Sequence, residues 1–212
     1  MNNIKFFIGP MSKNIVDSVV EFTEETGFKF GFIPSRRQVE YNGGYVNRWT
    51  TEEFAKYVDG KVLLQRDHGG PGQGLNDDDG LLSFNDDVSH LNIIHVDPWK
   101  KYPNYEDGLS KTLELIKHIY SINPSMLFEV GTEESIRHFS VSDLEKLLND
   151  LAENLPSSVF ENIIYAVVQS GVGLDLGKRI NTGTFNLDRL YKMVGVCKKF
   201  GVKSKEHNGD YL

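Results

Sequence analysis

The sequence has a single cysteine, Cys197, among its 212 residues. One cysteine cannot form an internal disulfide, so we expect the protein to fold in a reducing, cytoplasmic compartment. The surrounding residues, LYKMVGVCKKF, have the apolar spacing of a helix. This context favours a buried structural cysteine over a catalytic thiol, because no activating partner is evident.

Long apolar runs and excess positive charge are lacking too. No stretch reaches the roughly 18 apolar residues of a membrane-spanning helix, and the N-terminal FFIG is too short for a signal peptide. The chain has 23 basic and 30 acidic residues, a formal net charge of −7, and no basic stripe. We therefore expect neither a membrane protein nor a nucleic-acid-binding protein.

The sequence does contain a repeated pattern in which a short apolar run is followed by a loop and an amphipathic segment. Strands that alternate with helices predict right-handed βαβ units and a parallel sheet. Seven such units predict a single TIM-type (β/α) barrel domain over residues 1–212, with the eighth unit missing or beyond the chain end. A doubly wound sheet is the alternative, weakened because no GxGxxG follows the first strand. The apolar runs are 4–9, 28–33, 61–65, 91–97, 125–131, 162–171 and 201–207.

Capping residues indicate where several helices begin. Ser12 precedes an amphipathic segment that extends to about Thr26. A Ser or Thr followed three residues later by Glu is the capping-box pattern, and it occurs at Thr50–Glu53 and at Ser142–Glu145. A last helix is predicted from about Asn186 to Phe200, and the acidic run NDDDG at 76–80 is interpreted as a solvated turn.

Polar residues collect where the predicted strands end, and in a barrel these ends meet at one face. The third strand leads into RDHGGPGQG, in which Asp67 and His68 are candidates for proton transfer. Residues i and i+2 of a strand face the same way, which pairs His95 with Asp97. Glu129 lies inside an apolar strand, where a carboxylate needs a compensating cation or metal. The expected site for Zn²⁺ or Mn²⁺ consists of His95, Asp97, Glu129 and His207.

A glycine-rich segment with nearby cations, residues 171–185, follows the sixth strand. Exposed backbone N–H groups beside positive charge are typical of a phosphate cradle, and a flexible surface loop is the alternative. Structural ion pairs are likewise an alternative for each strand-end residue. The expected ligand-binding residues are Arg36, Arg37, Arg66, Gln169, Gly171, Gly173, Lys178, Arg179 and Thr182.

Three segments, DHGGP at 67–71, FEVGTEE at 128–134 and KEHNGDY at 205–211, occur in this order. Together they resemble motifs of the GatZ/KbaZ-like family, the so-called non-catalytic subunits of class II D-tagatose-bisphosphate aldolase. Members of that family are TIM barrels and are longer than this chain. The resemblance implies a divergent or truncated member that functions in carbohydrate metabolism beside a separate catalytic aldolase subunit.

Two functions follow as hypotheses. The first is a metal-assisted aldolase or epimerase that acts on a sugar or sugar phosphate. Its protons would be transferred by Asp67, His68, His95 or Glu129. The electron sink of such a reaction is either a divalent metal or a Schiff base on Lys205. The second is a non-catalytic subunit that stabilises a separate class II aldolase. Assembly into a homo-oligomer is compatible with both.

Overall fold

The computed structural model describes residues 4–175, 177–178 and 180–207. These residues form two compact units. The first contains the described residues up to His95 together with Ser121–Met126, and the second contains Val96–Tyr120 and the described residues from Leu127 onward. Strands and helices alternate in both units, so the predicted α/β class with parallel strands is confirmed. The expectations for Arg179, Asp210 and Tyr211 lie outside the described residues.

The first unit carries four neighbouring strands in the order β1-β2-β3-β4, and β1, β2 and β3 pair in parallel. The third strand is longer than predicted, because it continues through Arg66, Asp67 and His68. The charged motif therefore belongs to the end of a strand and not to a loop. The elements are β1 (Phe7–Ile8), α1 (Lys13–Thr26), β2 (Gly31–Phe32), α2 (Thr51–Val58), β3 (Leu63–Gly69), α3 (Leu81–His90) and β4 (Ile93–Val96).

The first two helices begin where the sequence predicts. The Ser12 side chain accepts a hydrogen bond from the backbone of the first turn, and Thr50 and Glu53 form a complete capping box. Helix α3 was not predicted. It begins after Gly80, which has a φ of 77° and provides no side-chain cap.

An aromatic and aliphatic core supports the strands of the first unit. The Phe32 and Phe54 rings meet edge to face with centroids 5.7 Å apart, and Trp49 packs against Phe54 at the same distance. Full burial of one such side chain contributes about 2–3 kcal/mol relative to exposure. This core fixes β2 and β3, and β3 carries the charged motif. The buried members are Val16, Phe32, Val39, Val46, Trp49, Phe54, Val58, Val62, Leu64 and Leu91.

The second unit contains three parallel strands in the order β5-β6-β9 and a separate two-stranded antiparallel hairpin, β7–β8. The pairing of β5 with β6 shifts by one residue, because Phe128 pairs with Ile163 but Glu129 pairs with Tyr165. The elements are α4 (Tyr105–Ile122, mostly in this unit), β5 (Leu127–Val130), α5 (Val141–Asn154), α6 (Ser157–Phe160), β6 (Ile163–Val168), β7 (Val172–Asp175), β8 (Ile180–Gly183), α7 (Leu187–Lys199) and β9 (Lys203–Glu206).

Two local predictions in the second unit are corrected. The capping box of α5 is formed by Ser140 and Asp143 and not by Ser142 and Glu145. The preceding residue, Phe139, is buried, so the chain enters the helix two residues earlier than predicted. Asn186 caps α7 as predicted. No helix in the described ranges has both the length and the apolar content that crossing a bilayer requires.

Candidate functional site

In the first unit, the ends of β3 and β4 bring an acid and two imidazoles together. The backbone N–H of His68 donates to Nδ1 of His95 at 3.3 Å, and the two rings lie 5.0 Å apart. Nε2 of His68 is 3.5 Å from Oδ1 of Asp67. Asp67, His68 and His95 each offer a ligand atom, and these atoms lie within 4.8 Å of one another. Three such donors can hold a divalent cation.

The backbone at the end of β3 is strained. His68 has a φ of 43°, in a region that side-chain-bearing residues rarely adopt and that costs on the order of 1–3 kcal/mol. The next residue, Gly69, leaves no room for a side chain, because a Cβ there would lie 2.6 Å from the Phe84 ring and 2.8 Å from the carbonyl oxygen of His95. Strain of this kind collects at functional sites, which supports a role for His68.

Arg66, expected to bind ligand, is instead part of the interior. Its side chain is 0% exposed and forms a two-pronged ion pair with Asp87 at 2.6 and 2.8 Å. It also donates to the carbonyl oxygens of Pro34 and Val39. The sequence prediction missed Asp87, because it lies on the unpredicted helix α3. The structure gives Arg66 a structural role, since no described N–H of its guanidinium faces solvent.

Arg36 is also buried, and it fastens the glycine-rich loop after β3. Its Nε donates to Glu40 at 2.6 Å, and its two terminal nitrogens bind both carboxylate oxygens of Asp78 at 2.7 and 2.8 Å. A further bond reaches the carbonyl oxygen of Gly70. The acidic turn at 76–80 is therefore not simply solvated, because Asp78 binds it to the buried guanidinium of Arg36. Arg37 is exposed and remains a candidate for ligand binding.

In the second unit, a buried carboxylate is shared by a lysine and a histidine. Glu129 lies on β5 and is 0% exposed. One of its oxygens is 2.9 Å from Nζ of Lys205, and the other is 2.5 Å from Nε2 of His207. The Lys205 and His207 side chains are 11% and 5% exposed. The expected compensation of the buried Glu129 charge is thus provided by a lysine.

The sheet explains how these three side chains meet. Glu129 pairs with Tyr165 on β6, and Val167 on β6 pairs with Lys205 on β9. Because side chains alternate along a strand, Glu129 and Lys205 share one face of the sheet. His207 follows the last residue of β9 and contacts the other oxygen of the same carboxylate. They meet across β6 from the strands on either side of it. Burial, and then the charge of Glu129, raise the pKa of Tyr165.

The ion pair limits what Lys205 can do in this arrangement. Its ammonium group donates to a carboxylate, so its nitrogen has no electron pair with which to attack a carbonyl. A Schiff base would first require transfer of this proton. The geometry therefore favours a counter-ion role for Lys205 over the nucleophilic role that the sequence left open.

Two further predicted residues serve the fold. Asp97 follows the last residue of β4, so strand alternation does not govern its direction, and its oxygens accept from the Trp99 backbone and the Thr132 hydroxyl. Gln169 is buried, accepts from the Phe139 N–H, and donates to the Thr132 carbonyl. These bonds hold together the loops that follow β4, β5 and β6 in the second unit.

The predicted phosphate cradle is a hairpin. Gly173 pairs with Thr182 across β7 and β8, where an added Cβ would lie 2.9 Å from the threonine hydroxyl. Gly171 has a φ of 93° and lies against the Thr184 carbonyl. Both glycines are therefore explained by the hairpin backbone. The Lys178 side chain is 74% exposed and lies 3.3 Å from Asp175, so it remains accessible to an anion.

Comparison with known proteins identifies a fold but no family. No family model and no curated protein matches the sequence. The YdjI aldolase from Escherichia coli K12 superposes with a TM-score of 0.64 at 12% identity, over 96% of this chain and 66% of that one. The fructose-bisphosphate aldolase from Campylobacter jejuni gives 0.68 at 11% identity, over 97% and 64%.

A third solved structure, the tetrameric deoxyribose phosphate aldolase from Aeropyrum pernix, gives a TM-score of 0.62 at 13% identity, over 97% of this chain and 76% of that one. The chain spans about two thirds of the length of the first two aldolases. At these identities the likeness concerns the fold alone. The chain has an aldolase-like α/β fold.

Proposed function

We propose that the protein is an aldolase-type carbon–carbon lyase that cleaves a sugar phosphate with the help of a divalent metal. The observation that carries this proposal is the convergence of Asp67, His68 and His95, whose ligand atoms lie within 4.8 Å of one another. Two imidazoles and one carboxylate suit Zn²⁺ or Mn²⁺. The strained His68 backbone and the aldolase-like fold support the same assignment.

A metal bound by these residues would act as a Lewis acid that polarises a substrate carbonyl. Asp67 and His68 would then be ligands of the metal and not the proton-transfer groups that the sequence suggested. Epimerisation uses the same enediolate intermediate without bond cleavage, so the assay has to measure both reactions.

We further propose that the chain is a divergent relative of the GatZ/KbaZ-like proteins, built as part of a TIM-type barrel. Two observations support this. The DHGGP motif lies at the end of β3, and FEVGTEE covers β5 and the residues after it. Both motifs therefore follow or cover strands, where a barrel places its functional residues.

Elemental analysis of protein purified without a metal-affinity tag tests the metal. We expect about one equivalent of zinc or manganese in the parent and loss of that metal in His95→Gln. His90→Gln is the matched control, because His90 lies on α3 and pairs with Asp86. No metal in the parent, even after incubation with Zn²⁺ and Mn²⁺, would overturn the metal assignment.

Phosphorylated ketoses and aldoses are then screened for cleavage and for epimerisation. Cleavage that is lost with the metal supports the lyase. Epimerisation alone would replace the lyase by an epimerase. Neither reaction in metal-loaded protein would overturn the enzymatic proposal.

A non-catalytic subunit is the second candidate, and an aromatic patch in the first unit favours it. Phe6, Phe22 and Phe28 are 58%, 48% and 41% exposed, and Phe6 stacks on Phe28 at 6.4 Å. Exposed apolar clusters of this kind are typical of protein–protein interfaces. We expect Phe6→Ser/Phe28→Ser to abolish the stabilisation of a class II aldolase subunit if this function is correct. A class II subunit whose melting temperature is the same with and without the parent protein would exclude it.

A further inference from the structure

A small polar cavity lies in the first unit, between residues 40–43, which follow β2, and residues 75–78, which follow β3. Its volume is about 130 Å³. Because a water molecule takes up about 30 Å³ in the liquid, the cavity has room for about four waters or for one small organic molecule. None of the residues that line it belongs to the candidate metal site.

Two buried side chains of the cavity wall, Arg36 and Glu40, retain capacity for further hydrogen bonds. A guanidinium group has five N–H donors. Four of them bind Glu40, both oxygens of Asp78 and the carbonyl of Gly70, and in the part of the chain that the structure describes the second N–H of Nη2 has no acceptor. The Glu40 carboxylate has about four acceptor positions and receives two bonds, from Arg36 and from the Tyr41 backbone. The buried wall therefore offers both a donor and acceptors.

Two asparagines, Asn42 and Asn76, line the cavity from its two loops. Both are exposed, and neither side chain forms a hydrogen bond with any other described residue. A carboxamide group both donates and accepts hydrogen bonds. The asparagines can therefore bind a ligand from the two sides of the cavity without giving up a bond that supports the fold.

The charges of the lining disfavour one class of ligand and favour another. Arg36 is positive whereas Glu40 and Asp78 are negative, so the lining has an excess of negative charge. Asp77 and Asp79, on either side of Asp78, are exposed and add to this excess. A phosphate or carboxylate group is repelled by such a lining. A hydroxyl group is neutral and, like the lining, both donates and accepts hydrogen bonds.

We propose that this cavity binds a small neutral polyol or sugar through its hydroxyl groups. Arg36 and Glu40 bind one hydroxyl, and the amides of Asn42 and Asn76 bind its neighbours. The ion pairs of Arg36 fix the buried groups before the ligand arrives, which lowers the entropic cost of binding. Leu75, which is 78% exposed, offers an apolar contact for the carbon atoms. The ligand carries no phosphate and contacts no candidate metal ligand, so the proposal does not depend on the lyase function.

Titration of the ¹⁵N-labelled full chain with glycerol and with erythritol tests the proposal, with the backbone amide shifts as the readout. We expect saturable shifts at Asn42, Gly43 and Asn76. The Kd should be in the millimolar range, because a ligand of so few atoms has limited binding energy. Glycerol 3-phosphate should bind on the order of tenfold more weakly than either neutral polyol, because its phosphate is repelled.

Asn42→Ala and Asn76→Ala remove one amide each from the lining. Each should raise the Kd for erythritol about fivefold, which is the contribution of one net hydrogen bond. Because neither side chain has a partner among the described residues, both variants should retain the amide spectrum of the parent outside the two loops. Asn14→Ala is the matched control, since Asn14 is exposed on α1 and does not line the cavity. Its Kd should equal that of the parent.

Three results would overturn the proposal. The first is a set of shifts that rise without saturation, or a Kd that neither asparagine variant changes. The second is glycerol 3-phosphate that binds as tightly as erythritol, which would make the cavity an anion site. The third is a response of the same amides to Ca²⁺ but not to either polyol, which would make it a cation site. Saturable erythritol binding in a protein that cleaves no sugar phosphate would refute the lyase and support this site.

Discussion

Replacing Asp87 by Asn removes the counter-charge of Arg66 at almost constant side-chain volume. Both side chains are 0% exposed, and two N···O contacts of 2.6 and 2.8 Å join them. An asparagine leaves the buried guanidinium without its directly paired carboxylate, and breaking a buried pair in this way costs about 3–5 kcal/mol. Since small proteins are stable by only about 5–15 kcal/mol, the loss is a large fraction of the total.

Urea unfolding followed by circular dichroism measures this loss, which corresponds to two to four powers of ten in the unfolding equilibrium. The control is Glu52→Gln, which breaks an exposed pair with Lys56 and should leave the unfolding midpoint unchanged. A loss of stability below about 1 kcal/mol in Asp87→Asn would refute the reasoning, because replacing the buried carboxylate by a neutral amide leaves the charge of Arg66 unpaired and should cost more. Arg66 would then again be available for a ligand.

Other expected outcomes concern local packing. Gly69→Ala should lower stability by about 1–3 kcal/mol in thermal unfolding, because the new methyl group meets a ring and a backbone oxygen. Gly195→Ala in α7 should instead raise the stability by about 0.5–1 kcal/mol, because a Cβ at this position has no neighbouring atom within 4 Å. A loss of stability in this variant would contradict the packing of α7. Burial raises the pKa of Cys197 to about 11, so the native thiol should react far more slowly with an aromatic disulfide reagent than the urea-unfolded chain. The thiolate forms more readily in the unfolded state, so stability should fall as the pH rises from about 9 towards 11. Tyr105→Phe should cost about 0.5–1.5 kcal/mol in urea unfolding, because the hydroxyl donates to Asp150 at 2.7 Å.

Helices with a capping side chain could be predicted from the sequence, and a helix without one could not. Ser12, Thr50 and Asn186 mark the starts of α1, α2 and α7 through local side-chain bonds. Helix α3 starts after Gly80, which has no side chain to cap it, so the sequence contains no capping residue that would predict this start. At α5, two Ser-x-x-acid pairs overlap, and tertiary burial of the preceding Phe139 selects between them.

The candidate site could be predicted only as a set of residue types. Asp67, His68 and His95 were singled out because they end strands, and the structure brings their ligand atoms together. The role of Arg66 could not be predicted, because its partner Asp87 is distant in sequence. No local sequence pattern connects two such residues. The prediction that Asp97 faces the same way as His95 assumed that the strand continues through Asp97. Strand β4 ends one residue earlier, at Val96.

The one-residue shift between β5 and β6 determines which side chains of β9 lie on the same face of the sheet as Glu129. If Glu129 paired with Ile164, it would share a face of the sheet with Ser204 and Glu206, in place of Lys203 and Lys205. The Ser204 hydroxyl would then stand where the Lys205 ammonium now stands, and the ion pair of Glu129 with Lys205 would be lost. The extra residue in β6 thus decides whether the buried carboxylate of Glu129 shares its face of the sheet with lysines or with a serine and a second carboxylate.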